Sequence, residues 1–235
     1  MDIILVPGFW LDASAWDDVV PVLEAAGHTP RALTLPGMES AEADRSEVHL
    51  ADHVAAVVAA IDAVPGAAPV ALAGHSAGGG LVYAASDARP DRVAHVVYVD
   101  SGPMADGHAV DADLPADVVG HDLPAWDQLE EADLVGLTDA LRAQFRARAL
   151  PQPAGTVREP HRLGPDDRRL DIPSTVIACE MPGSVLRDLM AQGHPYMAEL
   201  ARHRNYEIVD LPTGHWPMFT RPVDLGEAIG AAVTR

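Results

Sequence analysis

A serine set in a Gly-x-Ser-x-Gly string directly after an apolar run, Val70-Ala71-Leu72-Ala73 followed by Gly74-His75-Ser76-Ala77-Gly78, is the chemistry-bearing feature of this 235-residue chain. The pattern predicts a nucleophile elbow, a tight strand-to-helix turn that lifts Ser76 above a sheet edge. Its neighbours are small because larger side chains would collide with the adjoining backbone. A serine hydroxyl is a weak nucleophile at neutral pH, so it needs a general base within hydrogen-bonding reach and a carboxylate to orient that base. Of the 11 histidines, His215 is placed for this work: it lies in Leu211-Pro212-Thr213-Gly214-His215-Trp216-Pro217-Met218, after the last apolar run and before a final helix from about Pro222. Acyl transfer also needs donors for a developing oxyanion. The N–H groups of Ala77, after the serine, and of Phe9, in the loop after the first apolar run, are the candidates.

These residues need a scaffold that brings distant loops to one rim. Ile3 to Val6, Arg31 to Leu35, Val70 to Ala73, Val93 to Val99, Thr175 to Cys179 and Tyr206 to Leu211 read as strands alternating with helices. The pattern predicts an α/β fold, a mostly parallel, doubly wound sheet of about six strands with helices on both faces and ligands at the carboxyl ends of the strands. Pro7-Gly8, Ser76 and Asp100 all fall at such ends. A helix over about 46–64 repeats apolar residues at helical spacing, and its His49 and His53 read as a solvated polar face, since no third metal ligand accompanies them. From Pro103 to Leu170 the alternation stops, which predicts an inserted lid with one helix over about Asp127 to Ala149. Leu129, Leu134, Leu137, Leu141 and Phe145 are its apolar underside, facing the site or anchoring the insertion to the core.

At 48% hydrophobic residues the chain is expected to form a single domain over 1–235. Its net charge of −19, with all 16 basic residues arginine, offers no basic patch for nucleic acid or anionic lipid. The expected partner is a small acyl molecule. Cys179, the only cysteine, sits in an apolar run and reads as a buried structural thiol. The acidic, briefly apolar start fits neither a signal peptide nor a membrane span, so a cytoplasmic protein is expected. A dinucleotide loop is absent after the first strand, and no cofactor or metal is expected.

As a set the residues resemble the α/β-hydrolase superfamily, and more closely its small esterase and hydroxynitrile-lyase-like branch, which includes plant methyl esterases. Leu5-Val6-Pro7-Gly8-Phe9-Trp10 with Trp16 looks like that branch's oxyanion segment, Gly74 to Gly78 like its elbow, and Thr213 to Met218 like its histidine loop. Two departures stand out. The family's usual His-Gly after the first strand is Pro7-Gly8 here, and the residue matching its usual triad aspartate is Pro182. The orienting carboxylate must therefore come from elsewhere. Asp100, ending the strand after the elbow helix, is the first candidate, Glu180 the second and Asp188 the third, with a Ser-His dyad as a further arrangement.

The resemblance implies hydrolysis of a carboxylic ester, thioester or lactone through a Ser76 acyl-enzyme with His215 as general base. Two alternatives stay open. One is a lyase or cofactor-free rearrangement in which His215 only moves protons, although the lyases of this branch carry a lysine where this chain has Trp216. The other is a small-molecule receptor on a hydrolase fold.

Overall fold

Six strands form one parallel sheet because the four central ones are largely apolar and buried and each crossover carries a helix to cover them. The computed structural model describes residues 1–66 and 68–234. In chain order the strands are β1 (Asp2–Val6), β2 (Thr29–Ala32), β3 (Val70–His75), β4 (Val93–Val99), the short β5 (Gly120–His121) and β6 (Gln152–Pro153), β7 (Ser174–Ala178) and β8 (Tyr206–Asp210). The main sheet runs β2-β1-β3-β4-β7-β8, and β5 and β6 pair antiparallel apart from it. The helices are α1 (Val20–Ala25), α2 (Leu50–Asp62), α3 (Ala77–Ala88), α4 (Asp139–Arg148), α5 (Ala154–Arg158), α6 (Gly183–Ala191), α7 (Pro217–Thr220) and α8 (Pro222–Ala232).

Alternate strand residues feed two cores. Ile3, Leu5, Ala71, Ala73, Val97 and Ile177 pack with Trp16, Leu23, Leu225 and Ile229 on one face. Ile4, Val6, Leu72, Val96, Tyr98 and Val176 pack with Val57, Ile61, Val82 and Tyr83 on the other. Register then aligns the strand ends: Ser76 N–H donates to Val99 O, and Asp100 N–H donates to Ile177 O. The residues leaving β1, β3, β4 and β7 thus emerge along one rim. Among the described residues no helix is long and apolar enough to cross a membrane.

Several expected boundaries move, each for a local reason. β2 ends at Ala32 instead of Leu35 and starts earlier, because this half-exposed edge strand accepts Thr29-Pro30-Arg31, which carry no apolar signal. α2 begins at Leu50, where the His49 backbone N–H and the Asp52 side chain close a capping box. The expected solvated histidine face is half right. His49 is exposed and pairs with Glu159 at 2.6 Å, whereas His53 is buried and donates to Pro36 O at 2.8 Å. The helix expected over 127–149 is only α4, preceded by a 3-10 turn at Trp126–Gln128, because Gly136 takes φ 84° and Thr138 caps a new start.

Candidate active site

Ser76 sits at the first turn after β3 with φ 51° and ψ −125°, a conformation that L residues rarely adopt and that surrounding contacts must impose. Two glycines permit it. A Cβ on Gly74 would lie 2.4 Å from Gly78 O, and one on Gly78 would lie 2.7 Å from both Val6 O and Pro7 O. The elbow is therefore wedged against the β1 loop at van der Waals limits. Ser101 Oγ donates to Ser76 O at 2.5 Å and fixes the turn from the β4 side.

The Ser76 hydroxyl lies 2.8 Å from His215 Nε2, and His215 Nδ1 lies 2.7 Å from Asp100 Oδ2. Asp100 itself has φ 44°, which turns its carboxylate off β4 toward the histidine loop. Its other oxygen accepts the N–H groups of Cys179 at 3.0 Å and Glu180 at 3.1 Å. Burial would raise this carboxyl, but the hydrogen bonds from His215 and the two N–H groups outweigh burial and hold it below the usual carboxylate range. Asp100 is thus the carboxylate that meets the ring. Glu180 lies beside it without bonding His215, and Asp188 is on the exposed side of α6.

Three further groups set the histidine, and two of them escape a motif search. His215 N–H donates to Asp133 O at 2.9 Å, and Gly214 N–H donates to Val135 O at 3.0 Å. Fully buried His75 donates from Nε2 to His215 O at 2.7 Å, its ring 4.9 Å from that of His215. Burial, and then the positive charge His215 would carry, lower the pKa of His75 to about 3, so it stays a neutral donor. His75 is visible in the sequence as the variable residue of the elbow. The Asp133 to Val135 strap carries no pattern, because it acts through backbone carbonyls.

Gly214 has no room for a side chain. Its Cβ would lie 2.2 Å from Asp133 O and 2.7 Å from Val135 O, both backbone atoms. Gly214→Ala is expected to cost roughly 2 kcal/mol of stability by overpacking. Displacing the ring should also lower kcat at least tenfold, as the order-of-magnitude effect of lost orientation. Calorimetric melting and turnover per labelled site check both.

Phe9, Ala77, Ser76, Asp100, Glu180 and His215 face one cavity of about 750 Å³. Neither the Phe9 nor the Ala77 N–H donates to a protein acceptor among the described residues, which leaves both available beside the serine. The cavity wall is mainly apolar, with Met104, Val176, Met181, Leu186 and Met197. Of the expected lid, only residues between Pro103 and Val110 reach it, and the Pro195 to Leu200 stretch after α6 lines it too. Leu137 and Phe145 instead pack with Trp216 and Met218, and Leu129, Leu134 and Leu141 pack around them. The underside of the insertion anchors it to the core. Cys179 is buried, which pushes its thiol up and keeps it out of the chemistry.

Similarity to known proteins agrees with this architecture. The chain is 28% identical over 255 aligned residues to a pyrethroid hydrolase from Sphingobium wenxiniae, covering 97% of this chain and 86% of that one. In fold it is similar to an extracellular α/β-hydrolase from a Paenibacillus species, which shares homology with tobacco salicylic acid binding protein 2 (TM-score 0.76, 22% identity, 99% and 98% of the two chains). It is likewise similar to an Arabidopsis methylesterase (TM-score 0.75, 19% identity, 100% and 99% of the two chains). Residues 3–228 match the model of the alpha/beta hydrolase family, and the chain belongs to that family.

Proposed function

We propose that this protein is a serine esterase that cleaves a carboxylic ester, or a related thioester or lactone, through an acyl-enzyme on Ser76. The observation that carries this reading is the continuous hydrogen-bonded path from Ser76 Oγ through the His215 ring to Asp100, 2.8 and 2.7 Å long, opening on a mainly apolar cavity. The names of the pyrethroid hydrolase and methylesterase relatives support ester chemistry.

In this mechanism His215 Nε2 takes the Ser76 proton as the oxygen attacks the substrate carbonyl. Asp100 holds the ring in the Nδ1–H tautomer and stabilises the imidazolium that forms. The N–H groups of Phe9 and Ala77 stabilise the tetrahedral oxyanion, and they do so without reorganising because the elbow and the β1 loop are wedged together. His215 then gives the proton to the leaving oxygen, and the alcohol departs. A water molecule repeats the sequence on the acyl-enzyme and releases the acid. The Pro103 to Val110 stretch serves as the cover over the reacting centre.

The test is covalent capture. A fluorophosphonate should add one adduct per chain, mapped by peptide mass spectrometry to Ser76, and labelling should block release of p-nitrophenol from p-nitrophenyl butyrate. No adduct, or an adduct on another residue with esterase activity intact, overturns the reading.

A further inference from the structure

Glu180 is a carboxylate of the cavity that the catalytic reading does not use. It lines the cavity, and one atom each of Glu180, Asp100 and His215 lie within 4.8 Å of one another. Around its carboxyl are the like-charged Asp133 of the insertion, Asp100 after β4, His215 after β8 and Tyr196 after α6. The other cavity carboxylates are compensated. Asp100 has the His215 ring and two N–H donors, and Glu199 has Arg202 at 2.9 Å and the Tyr83 hydroxyl at 2.5 Å. Among the described residues no arginine lines the cavity, and the chain contains no lysine. Burial, followed by the nearby Asp133 carboxyl, raises Glu180 to about 7, so it is neutral in mild acid and charged above neutrality.

We propose that Glu180 is a specificity-determining residue that makes the site reject esters with a carboxylate in the leaving group and accept uncharged ones. The proposal builds on the ester reading above. On this reading the leaving group, protonated by His215, occupies the cavity that Glu180 lines close to that ring. A second negative charge there meets an uncompensated carboxylate in a partly desolvated site, where like charges repel far more strongly than in water. The same repulsion drives out the carboxylate product.

Two butyrate esters that differ in leaving-group charge test this: 4-(methoxycarbonyl)phenyl butyrate and 4-carboxyphenyl butyrate. Their intrinsic reactivities cancel when ratios are compared across pH or between variants. In the native enzyme the kcat/KM preference for the neutral ester should rise about tenfold from roughly pH 6 to pH 8.5 as Glu180 ionises, an order-of-magnitude effect for a screened charge pair. Glu180→Gln should remove that rise. The pH series on the native enzyme reads the charge even where the variant fails to fold. Ser76→Ala supplies a second readout, since calorimetry should show it binding the neutral ester more tightly, with the gap widening at high pH. Turnover of both esters with a pH-independent ratio overturns the charge filter and leaves the esterase reading standing. Charge discrimination by Ser76→Ala without turnover of either ester by the native enzyme supports the filter and overturns the esterase reading.

Discussion

Ser76→Ala is expected to lower kcat on an ester substrate by about 10⁶-fold, the scale on which removing a triad nucleophile acts. The fold should survive, because the elbow is held by groups the substitution leaves alone: Ser101 bonds the backbone oxygen of residue 76, and Gly74 and Gly78 keep their contacts. Only the 2.8 Å bond to His215 is lost. A lost hydrogen bond of about 1 kcal/mol should shift Tm by no more than about 4 °C at this chain length. The measurement is turnover normalised to folded protein, beside fluorophosphonate labelling that should vanish. Each outcome separates one reading from its rivals. Full turnover on the natural substrate would mean that His215 moves protons without an acyl-enzyme, as in a lyase or a rearrangement. A ligand recovered unchanged after prolonged incubation with the native protein would point to a receptor.

Much of the sheet is legible in the sequence because burial on both faces writes itself as uninterrupted apolar runs. The central strands β1, β3, β4 and β7 all lie within a residue or two of their expected spans, and the edge strand β8 does so through its Ile208-Val209 pair although it is only partly buried. The edge strand β2 is less legible for the converse reason: half its surface meets solvent, so Thr29, Pro30 and Arg31 are tolerated and the apolar signal begins too late. The insertion is least legible. Its contacts are made by backbone groups and long side chains reaching distant carbonyls, such as Arg45 to Pro151 O at 2.7 Å, and these leave no periodicity.

The site divides along the same line. Ser76 and His215 are readable from spacing because an elbow and a glycine-flanked loop demand particular residue types at particular places. The order Asp100, Glu180, Asp188 is readable only from Asp100's place at the end of a strand; the contact itself depends on which carboxylate the strand register and a positive φ at residue 100 turn toward the ring. Pro182 has no carboxylate to offer, and its place at the start of α6 leaves Asp100 alone to close the path to His215. The strap from Asp133 to Val135 lies inside the span, 127–149, where the sequence pattern predicts a helix. It forms successive turns, with Leu134 N–H donating to Glu131 O and Val135 N–H to Ala132 O, and its Asp133 and Val135 carbonyls accept from the histidine loop instead of from a helix ladder.

Asp100→Asn is expected to cost about 10⁴-fold in kcat, the scale seen when a triad acid is replaced by its amide. Asparagine suits this position structurally: it tolerates a positive φ better than most residues, and its amide oxygen can still accept the Cys179 and Glu180 N–H groups. What it cannot do is accept the His215 Nδ1–H while presenting its own N–H₂ to that atom. The ring is then driven to the other tautomer, with Nε2 protonated and unable to take the serine proton. Fluorophosphonate titration of folded sites, together with kcat on the remaining activity, measures the effect. Because the carboxyl is held below its ordinary range, the native clamp stays ionised through neutral pH and is lost only as acid protonates Asp100. Glu180→Gln provides the contrast, since that carboxyl lies beside the ring without bonding it and should affect kcat on a neutral ester far less. A small loss in Asp100→Asn with a large one in Glu180→Gln would move the orienting role to residue 180, and with it the physical reason for the turn at residue 100.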